Sequence, residues 1–324
     1  MLDILSDVLS RLAIKGTLYF RTSFTSPWGV EVPSYENVAR FHYAARGECL
    51  IRVAGSPDIV SLAQGDLVII PHGAEHSLFC AQTEANAILR LDRVLEESGY
   101  DGEGALVYGG NAGDDRPTQL ICGHISFASD ARHAIFERLP PYIHIQNYGA
   151  SSASWMEATL RAIGEEAGQA RMGADLIALK MSEVIFAQAI RNFLESQAAE
   201  TVGLSGFADA HLARALSAFH KAPSAQWTVE SLAREAGLSR TGFAQRFAQK
   251  LGFTPMQYVT SWRVQLAREA LADGHMSTLA VAELAGYGSE AAFARVFKKD
   301  VGLSPAAYRN ARRASGRPES IARD

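Results

Sequence analysis

The chain has 324 residues, 48% of them hydrophobic, which favours two folded domains and argues against a disordered or fibrous protein. Its three cysteines are too few for a disulfide scaffold and no apolar run reaches the roughly 18 residues of a membrane span, so we expect a cytoplasmic protein without a membrane partner. The net charge of −4 is the sum of −10 over residues 1–206 (15 basic, 25 acidic) and +6 over residues 207–324 (16 basic, 10 acidic), which indicates a polyanionic partner for the basic third alone.

Residues 1–150 are rich in short β-branched and aromatic runs that end at glycine or proline. Examples are TLYFRTS, FHYAARGECLIRVAGSP and GDLVIIPHGAEH. Runs of this kind are typical of strands joined by turns. We therefore predict an antiparallel sheet folded on itself over this part of the chain.

Residues 151–206 change to the spacing of an amphipathic helix. Apolar side chains recur there near one stripe, at Leu176, Leu179, Val184, Ala187, Ile190 and Leu194. This stripe is more apolar than a simple linker needs. The helical connector is predicted to pack either wholly on its own domain or partly on a second copy of the chain.

An internal repeat marks the C-terminal region. Residues 243–255 read FAQRFAQKLGFTP, and residues 293–305 read FARVFKKDVGLSP. At an offset of fifty positions seven residues are identical: Ser239/Ser289, Phe243/Phe293, Ala244/Ala294, Phe247/Phe297, Gly252/Gly302, Pro255/Pro305 and Tyr258/Tyr308. Glycines lie only at junctions, so residues 207–312 are predicted to form an all-helical domain with two copies of one unit, before a basic, flexible tail over residues 313–324.

Each copy of the repeat fits two helices joined by a short turn. In the first copy Gly237 lies in the turn, and Thr228 and Ser239 precede the two helices as N-caps. In the second copy Gly286 begins the turn and Ser289 is the cap of the second helix. Two helices joined by a short turn that contains glycine match the helix-turn-helix unit.

The second helix of each copy has a buried side marked by its two phenylalanines and an opposite polar side. The polar side presents residue types that read base edges in the major groove of double-stranded DNA. We predict DNA contacts by Ser239, Arg240, Thr241, Gln245, Arg246, Gln249, Ser289, Glu290, Ala291, Arg295, Lys298 and Lys299. Phosphate contacts are expected from Arg246, Lys250, Lys298, Lys299, Arg309, Arg312 and Arg313. The alternative is a helical core with a solvated face.

The string AGYGSEAAFARVFKKDVGLSPAAYR, from Ala285, resembles the signature of the AraC-type transcriptional regulators. The resemblance covers about residues 207–312 and implies a DNA-binding domain with two helix-turn-helix units joined by a long helix, here residues 256–272, with Trp262, Leu266 and Leu271 packed inward. It also implies recognition helices in successive major-groove faces, about 34 Å apart. Many members carry arginine where this chain has Gln245, which leaves open the base that the first unit prefers.

The stretch GDLVIIPHGAEH resembles the second cupin motif, with Gly65, Pro71, Gly73 and His76 at the motif's spacing, and FHYAARGECLIRV resembles part of the first. The N-terminal half as a whole resembles the cupin-type sensor domain of a subgroup of AraC-type regulators. This resemblance implies a small-molecule effector and a homodimer, whose contact we place at Leu176, Leu179, Ile190 and Leu194. The full His-x-His and Glu set of the metalloenzymes is missing, so we expect no enzyme.

Four side chains of the N-terminal half are candidate zinc ligands: His42, His76, Cys122 and His124. Cupin-like folding would bring His42 and His76 together, while Cys122 and His124 share one face of a strand. The alternative is that they are hydrogen-bonded core histidines and a buried thiol.

The sequence therefore predicts a multidomain α+β protein: a cupin-like β-barrel, a helical connector and an all-helical domain with two helix-turn-helix units. The function expected is a sequence-specific, DNA-binding transcription regulator that a small molecule controls. Two alternatives stay open at this point. One is a cupin-fold metalloenzyme with an accessory helical domain, and the other is a regulator whose cupin domain only dimerises.

Overall fold

The computed structural model describes residues 4–11, 16–102, 104–110, 117–127, 134–148, 158–159, 162, 172–196, 204–207 and 209–315. The chain divides into two compact units, which we name by their content. The β unit comprises residues 12–129 and 139–196, and the helical unit comprises residues 1–11, 130–138 and 197–324. This division differs from the predicted boundaries at residues 150 and 206, because most of the connector belongs to the β unit and the N-terminal helix belongs to the helical unit.

The β unit contains two sheets that enclose one core. The first sheet has the order β11-β6-β3-β10-β1-β9, from β1 Gly16–Thr25, β3 Val38–Arg46, β6 Leu67–Ile70, β9 Ala105–Gly109, β10 Gln119–Ser126 and β11 Ile143–Ile145. The second has the order β5-β4-β7-β2-β8, from β2 Gly29–Val32, β4 Cys49–Val53, β5 Ile59–Leu62, β7 His76–Phe79 and β8 Leu89–Arg90. Pairing is antiparallel except between β1 and β9 and between β2 and β8, so the predicted antiparallel sheet is mixed at two positions.

Alternation along the strands decides which side chains fill this core. Phe24, Ala44, Ile51, Val68 and Leu120 point between the sheets and are buried. Gly73 permits the tight turn before β7, because a Cβ there would collide with the carbonyl oxygen of Tyr35 and its φ is +60°. The cupin-like motif thus contains glycine where the backbone requires it.

Two longer helices complete the β unit: α2 Leu91–Ser98 and α4 Ala174–Ser196. Helix α4 packs against β1 and β11 and buries Ile185, Phe186, Ile190 and Phe193. The hydroxyl of Tyr148 donates to the carbonyl of Ile185 over 3.4 Å. These contacts explain why the connector helix belongs to the β unit, and both predicted packings, wholly on its own domain or partly on a second copy, include them.

In the part of the chain that the structure describes, the helical unit contains these helices: α1 Ile4–Arg11, α3 Ala134–Glu137, α5 Ala210–Lys221, α6 Val229–Ala236, α7 Arg240–Leu251, α8 Pro255–Asp273, α9 Thr278–Leu284, α10 Glu290–Val301 and α11 Pro305–Ser315. Helices α6 and α7 form the first helix-turn-helix unit and α9 and α10 the second, joined by α8. Helix α11 continues to Ser315, three residues into the predicted tail at residues 313–324, whose remainder lies outside the described residues. Among the described helices none is both long and apolar enough to cross a bilayer.

Side-chain caps determine where the helices of the two helix-turn-helix units begin. Thr228 and Ser231 form a reciprocal capping box at α6, and Ser239, Ser277 and Ser289 each accept a backbone N–H at the start of α7, α9 and α10. The caps predicted at Thr228, Ser239 and Ser289 are confirmed.

The repeated phenylalanines form matching cores. Phe243 and Phe247 lie 5.5 Å apart between ring centroids, and Phe293 and Phe297 lie 5.4 Å apart. All four are almost fully buried. In α8 the side chains Trp262, Leu266 and Leu271 are buried as predicted. The repeat therefore conserves its scaffold, and differences between the copies lie on the exposed face.

Candidate functional site

The exposed face of α7 carries polar, uncharged side chains after Arg240, the first residue of the helix. Thr241, Gln245 and Gln249 are exposed at successive turns, opposite the buried Phe243 and Phe247. Arg240 is exposed at the N-terminal end of the helix. Glutamine is suited to a bidentate contact with adenine, and the threonine methyl to thymine.

The equivalent face of α10 is cationic. Ala291, Arg295 and Lys299 are exposed in the same order, with Lys298 beside them and Glu290 at the start of the helix. Neither Lys298 nor Lys299 forms an ion pair with a described residue. Arginine is suited to a bidentate contact with guanine. The two copies therefore offer different chemistry on the same scaffold.

Ser239 and Ser289 act as the N-caps of α7 and α10. Their hydroxyl oxygens accept the N–H groups of Gly242 and Ala292 over 3.2 Å in each case. Capping by a short side chain leaves the first turn of each recognition helix open to an anion, because the other N–H groups there have no partner within the helix.

Two of the residues predicted to contact phosphate are paired with the buried carboxylate of Asp209, which the sequence did not single out. The Asp209 carboxylate caps α5 and accepts from Arg246 over 2.7 Å and from Lys250 over 2.9 Å. Burial alone would raise the pKa of Asp209, but the hydrogen bonds from Arg246, Lys250 and the Leu212 N–H outweigh it and hold that pKa well below its usual range. Arg246 and Lys250 therefore join α7 to α5.

Two further residues predicted to contact phosphate hold α11 in place through backbone carbonyls, and a third, Arg312, is bonded within α11 itself. Arg309 donates to the carbonyl of Met276 over 2.8 Å, and Arg313 donates to that of Gly274 over 3.2 Å. Arg312 donates to the hydroxyl of Tyr308 over 3.3 Å. A cation bound to a carbonyl keeps its charge, so these groups contribute to the positive field even where they are not free to move.

Arg263, in the middle of α8, connects the two helix-turn-helix units. Its guanidinium donates to the carbonyls of Pro223 and Ala225, over 2.8 and 2.6 Å, in the loop before the first unit. The same group lies 5.8 Å from the ring centroid of Tyr287, in the turn of the second unit. Because one planar group contacts both sides, it fixes the orientation of one unit against the other.

A buried chain of three polar groups ties α1 to the rest of the helical unit. Asp7 accepts from His220 Nδ1, and the hydroxyl of Tyr258 contacts His220 Nε2, each over 2.6 Å. Burial raises the pKa of Tyr258 well above its usual value, and the Asp7 charge adds to this, so Tyr258 keeps its proton and donates it. Trp262 covers the His220 ring, with centroids 4.4 Å apart.

In the β unit, three of the four candidate zinc ligands meet between the sheets. His76 Nδ1–H donates to the carbonyl of Ala74 over 2.8 Å, so its Nε2 is the acceptor facing His42 Nε2 at 2.8 Å. His42 then donates from Nε2, and its bare Nδ1 accepts from the thiol of Cys122 over 3.1 Å. The side chains of His76, His42 and Cys122 are therefore all neutral, and each has a hydrogen-bond partner.

The pKa directions agree with that assignment. Burial lowers the pKa of His42 well below its usual value and that of His76 to about 4. Burial raises the pKa of the Cys122 thiol far above its usual range. The fourth candidate, His124, lies on β10 opposite Arg40 of β3, and no hydrogen bond joins it to the other three among the described residues.

A zinc ion does not fit this arrangement as it stands. Two nitrogens bound tetrahedrally to one zinc lie about 3.3 Å apart, farther than the 2.8 Å between His42 and His76. Within the part of the chain that the structure describes, no group of three or more histidine, cysteine or acidic side chains could hold a metal ion. Zinc binding stays a prediction, which metal analysis of the purified protein tests.

A cavity of about 540 Å³ lies on the outer face of the six-stranded sheet, away from the core. The residues that line it include Arg21, Arg46, Tyr43, Gln64 and Gln119. The Nε of Arg21 is buried and lacks a hydrogen-bond partner. No carboxylate is among the described residues that line this cavity, so its charge is positive. We name it the outer pocket.

The four residues predicted for dimerisation lie within about 60° of one another around α4 but differ in burial along its length. Leu176 is 61% exposed, and Leu179 and Leu194 are half-buried. Ile190 is fully buried in its own unit, so it is not available to a second chain. The exposed apolar side chains of the helix are Leu176, Ile177 and Val184.

Comparison with known proteins agrees with this two-part organisation. The family described as Cupin matches residues 3–195, and the family described as Helix-turn-helix domain matches residues 232–311. A putative AraC-like transcription regulator of Streptomyces antibioticus is 31% identical over 95% of this chain and 98% of its own length. The RCS-specific HTH-type transcriptional activator RclR of Escherichia coli K12 is 26% identical over 95% of this chain and 97% of its own.

Among solved structures, the DNA-binding domain of AdpA in complex with a target DNA is 35% identical, covering 34% of this chain and 99% of that chain, with a TM-score of 0.33. The Cupin match spans more than half of the chain, and the Streptomyces relative exceeds 30% identity over nearly its full length. The chain therefore belongs to the AraC-like, DNA-binding transcription regulators that carry an N-terminal cupin domain and a C-terminal helix-turn-helix domain.

Proposed function

We propose that this chain regulates transcription by placing α7 and α10 in successive major-groove faces of an operator, and that it has no catalytic activity. The observation that carries the proposal is the pair of exposed helix faces, one with Gln245 and Gln249 and the other with Arg295 and Lys299. Two faces of different chemistry on one rigid scaffold read two different half-elements of one site.

Selection of binding sites from a random duplex library, with the full chain, tests this proposal. We expect a bipartite sequence whose two elements are centred about 10 base pairs apart, the distance of one turn of the DNA helix. A single short element would contradict the use of both helices. Recovery of random sequence at all salt concentrations would contradict sequence-specific binding altogether.

We propose further that a small anionic molecule controls the regulator by binding in the outer pocket. Arg21 and Arg46 supply the charge, and guanidinium groups are suited to the oxygens of a carboxylate or phosphate. The core between the sheets is packed with apolar side chains, including Phe24, Trp28 and Ile51, which favours a site outside it. Ligand binding to one conformation would shift the population of the DNA-binding form.

A thermal-shift screen of the full chain with carboxylates and phosphates, using neutral amides of the same acids as controls, tests the pocket. Arg21→Gln and Arg46→Gln are expected to abolish a shift that the wild type shows. Arg52→Gln is the matched control, because Arg52 is an exposed arginine of β4 outside the pocket. An equal shift in all three variants would contradict this location.

The assembly that we propose is a homodimer formed through the N-terminal half of α4. Leu176, Ile177 and Val184 are apolar, exposed and on one helix, which supports a contact with a second chain. Sedimentation of the full chain should give a dimer that Leu176→Asp together with Val184→Asp converts to a monomer. A wild-type monomer at micromolar concentration would contradict the proposal.

A further inference from the structure

The sulfur of Cys80 lies in a cluster of hydrogen-bond donors that neither DNA binding nor an effector site requires. The backbone N–H of Trp28 donates to it over 3.3 Å, and the N–H of Gln82 does so as well. The hydroxyl of Ser26 lies 3.3 Å from the same sulfur and donates its proton to the side-chain oxygen of Gln82 over 3.2 Å. Such donors stabilise a negative sulfur more than a neutral one.

Thr83 shows how the proton of Cys80 is held in the resting state. The Thr83 hydroxyl donates its only proton to the carbonyl of Trp28 over 2.6 Å. Its oxygen is therefore the acceptor for the thiol of Cys80, 3.0 Å away. When the thiol loses its proton, the backbone donors from Trp28 and Gln82 remain in place, and the Ser26 hydroxyl can turn its proton from the Gln82 side chain to the sulfur. Although burial alone would raise the pKa of Cys80, these hydrogen bonds lower it below its usual value.

The register of β4 and β7 points to a second thiol opposite Cys80. Strands β4 and β7 are antiparallel, with Val53 paired to His76, Ile51 to Leu78 and Leu50 to Phe79. The same register continued by one residue places Cys49 across from Cys80, and both side chains belong to the core between the sheets. Directly opposed residues on one face have Cβ atoms about 4.5–5.5 Å apart, close to the separation that a disulfide bridges.

We propose that Cys80 is an oxidant-reactive thiol and that Cys49 is its disulfide partner within the β unit. The oxidant class is a two-electron peroxide. The sulfur of deprotonated Cys80 attacks one oxygen of hydrogen peroxide, so an S–O bond forms, the O–O bond breaks, and the leaving hydroxide takes a proton to become water. The sulfur of Cys49 then attacks Cys80, so an S–S bond forms, the S–O bond breaks, and the hydroxyl leaves as water with the proton of Cys49.

The other two cysteines differ from Cys80 in the ways that this chemistry requires. Burial raises the pKa of Cys49 to about 12, so it is a slow nucleophile toward peroxide. Cys122 donates to His42 and is held as a neutral thiol. All three are free thiols in the structure. Cys122 is therefore the matched control: a buried cysteine of the same core without donors directed at its sulfur.

The test is oxidation of the full-length protein with hydrogen peroxide in the presence of dimedone, followed by digestion and mass spectrometry. In the wild type we expect a disulfide that links the peptides of Cys49 and Cys80. In Cys49→Ser the dimedone adduct should accumulate on Cys80, while in Cys80→Ser both products should disappear. Cys122→Ser should behave as the wild type does.

A second measurement uses the wild-type protein, so its outcome does not depend on whether a cysteine variant folds. Alkylation by iodoacetamide under native conditions should label Cys80 at least about tenfold faster than Cys49 or Cys122. Equal labelling of the three thiols would overturn the assignment of Cys80 as the reactive group. A dimedone adduct on Cys80 without any link to Cys49 in the wild type would overturn the role given to Cys49.

Discussion

Replacing Asp209 by asparagine separates its two contributions, because asparagine caps a helix as well as aspartate does but has no charge. The carboxylate side chain is 2% exposed, whereas its partners Arg246 and Lys250 are 42% and 35% exposed. Hydrogen bonds between charged groups contribute about 1.5–3 kcal/mol each when buried. Since water competes for both cations here, we expect Asp209→Asn to lower the free energy of unfolding of the helical unit by about 1–2 kcal/mol in all.

Asp209→Ala removes the cap as well, so its cost should exceed that of Asp209→Asn by about 0.5–2 kcal/mol. Amide hydrogen exchange of the peptides that cover α5, α6 and α7 in the full chain measures both losses as faster opening. Asp273→Asn is the matched control, because Asp273 is exposed at the end of α8. The free energy of unfolding of that variant should stay within about 0.5 kcal/mol of the wild-type value.

The pH dependence gives an independent check with a defined sign. The pKa of Asp209 is lower in the folded protein than in the unfolded chain, so its stabilisation is complete above the unfolded value of about 3.9. This stabilisation is lost as the pH falls from about 3.9 toward the lowered pKa of Asp209 in the folded protein. The difference between wild type and Asp209→Asn should therefore be constant near neutrality and shrink below about pH 4. Equal opening rates for the two proteins at pH 7 would refute the reasoning.

Three further predictions concern the helical unit. Phe293→Ala leaves a cavity in the core of the second helix-turn-helix unit and should cost about 3–5 kcal/mol, measured by urea unfolding, whereas Phe293→Leu should cost clearly less. Asp7→Asn weakens the hydrogen bond with buried His220, so the free energy of opening of α1, measured by amide hydrogen exchange, should fall by about 1–3 kcal/mol. Unchanged exchange of the α1 peptides would contradict that contact. Arg263→Lys cannot bind two carbonyls with one planar group, so it should cost about 1–2 kcal/mol by the same measurement and weaken specific DNA binding, and a wild-type affinity would contradict its linking role.

The parts of the fold that the sequence predicted are those specified by neighbouring residues. The caps at Thr228, Ser239 and Ser289 and the phenylalanines at helical spacing need only a few residues of context, and each was found in place. The same holds for the exposure of Gln245 and Arg295, because a helix with one buried side leaves the other side to solvent.

The parts that were missed depend on contacts between distant residues. Asp209 lies 37 residues from Arg246, and Asp7 lies 213 residues from His220. Asp209 precedes the apolar residues of α5 as an N-cap would, and this signal could have located it. Nothing in the sequence marks Asp7, because its partner is supplied by the packing of α1. The outer pocket was not foreseen, since its lining depends on strand register, which one sequence leaves open.

The central claim is that α7 and α10 present two different reading faces to one stretch of DNA. Comparing Arg295→Ala and Lys299→Ala on the selected site and on random duplex, over a range of salt concentrations, tests it most directly. Arg295→Ala should cost about 1–3 kcal/mol on the selected site, relax the preference at one base pair and leave random DNA almost unchanged. Lys299→Ala should weaken both alike and reduce the salt slope by about one. An equal loss on selected and random DNA for Arg295→Ala would contradict the claim.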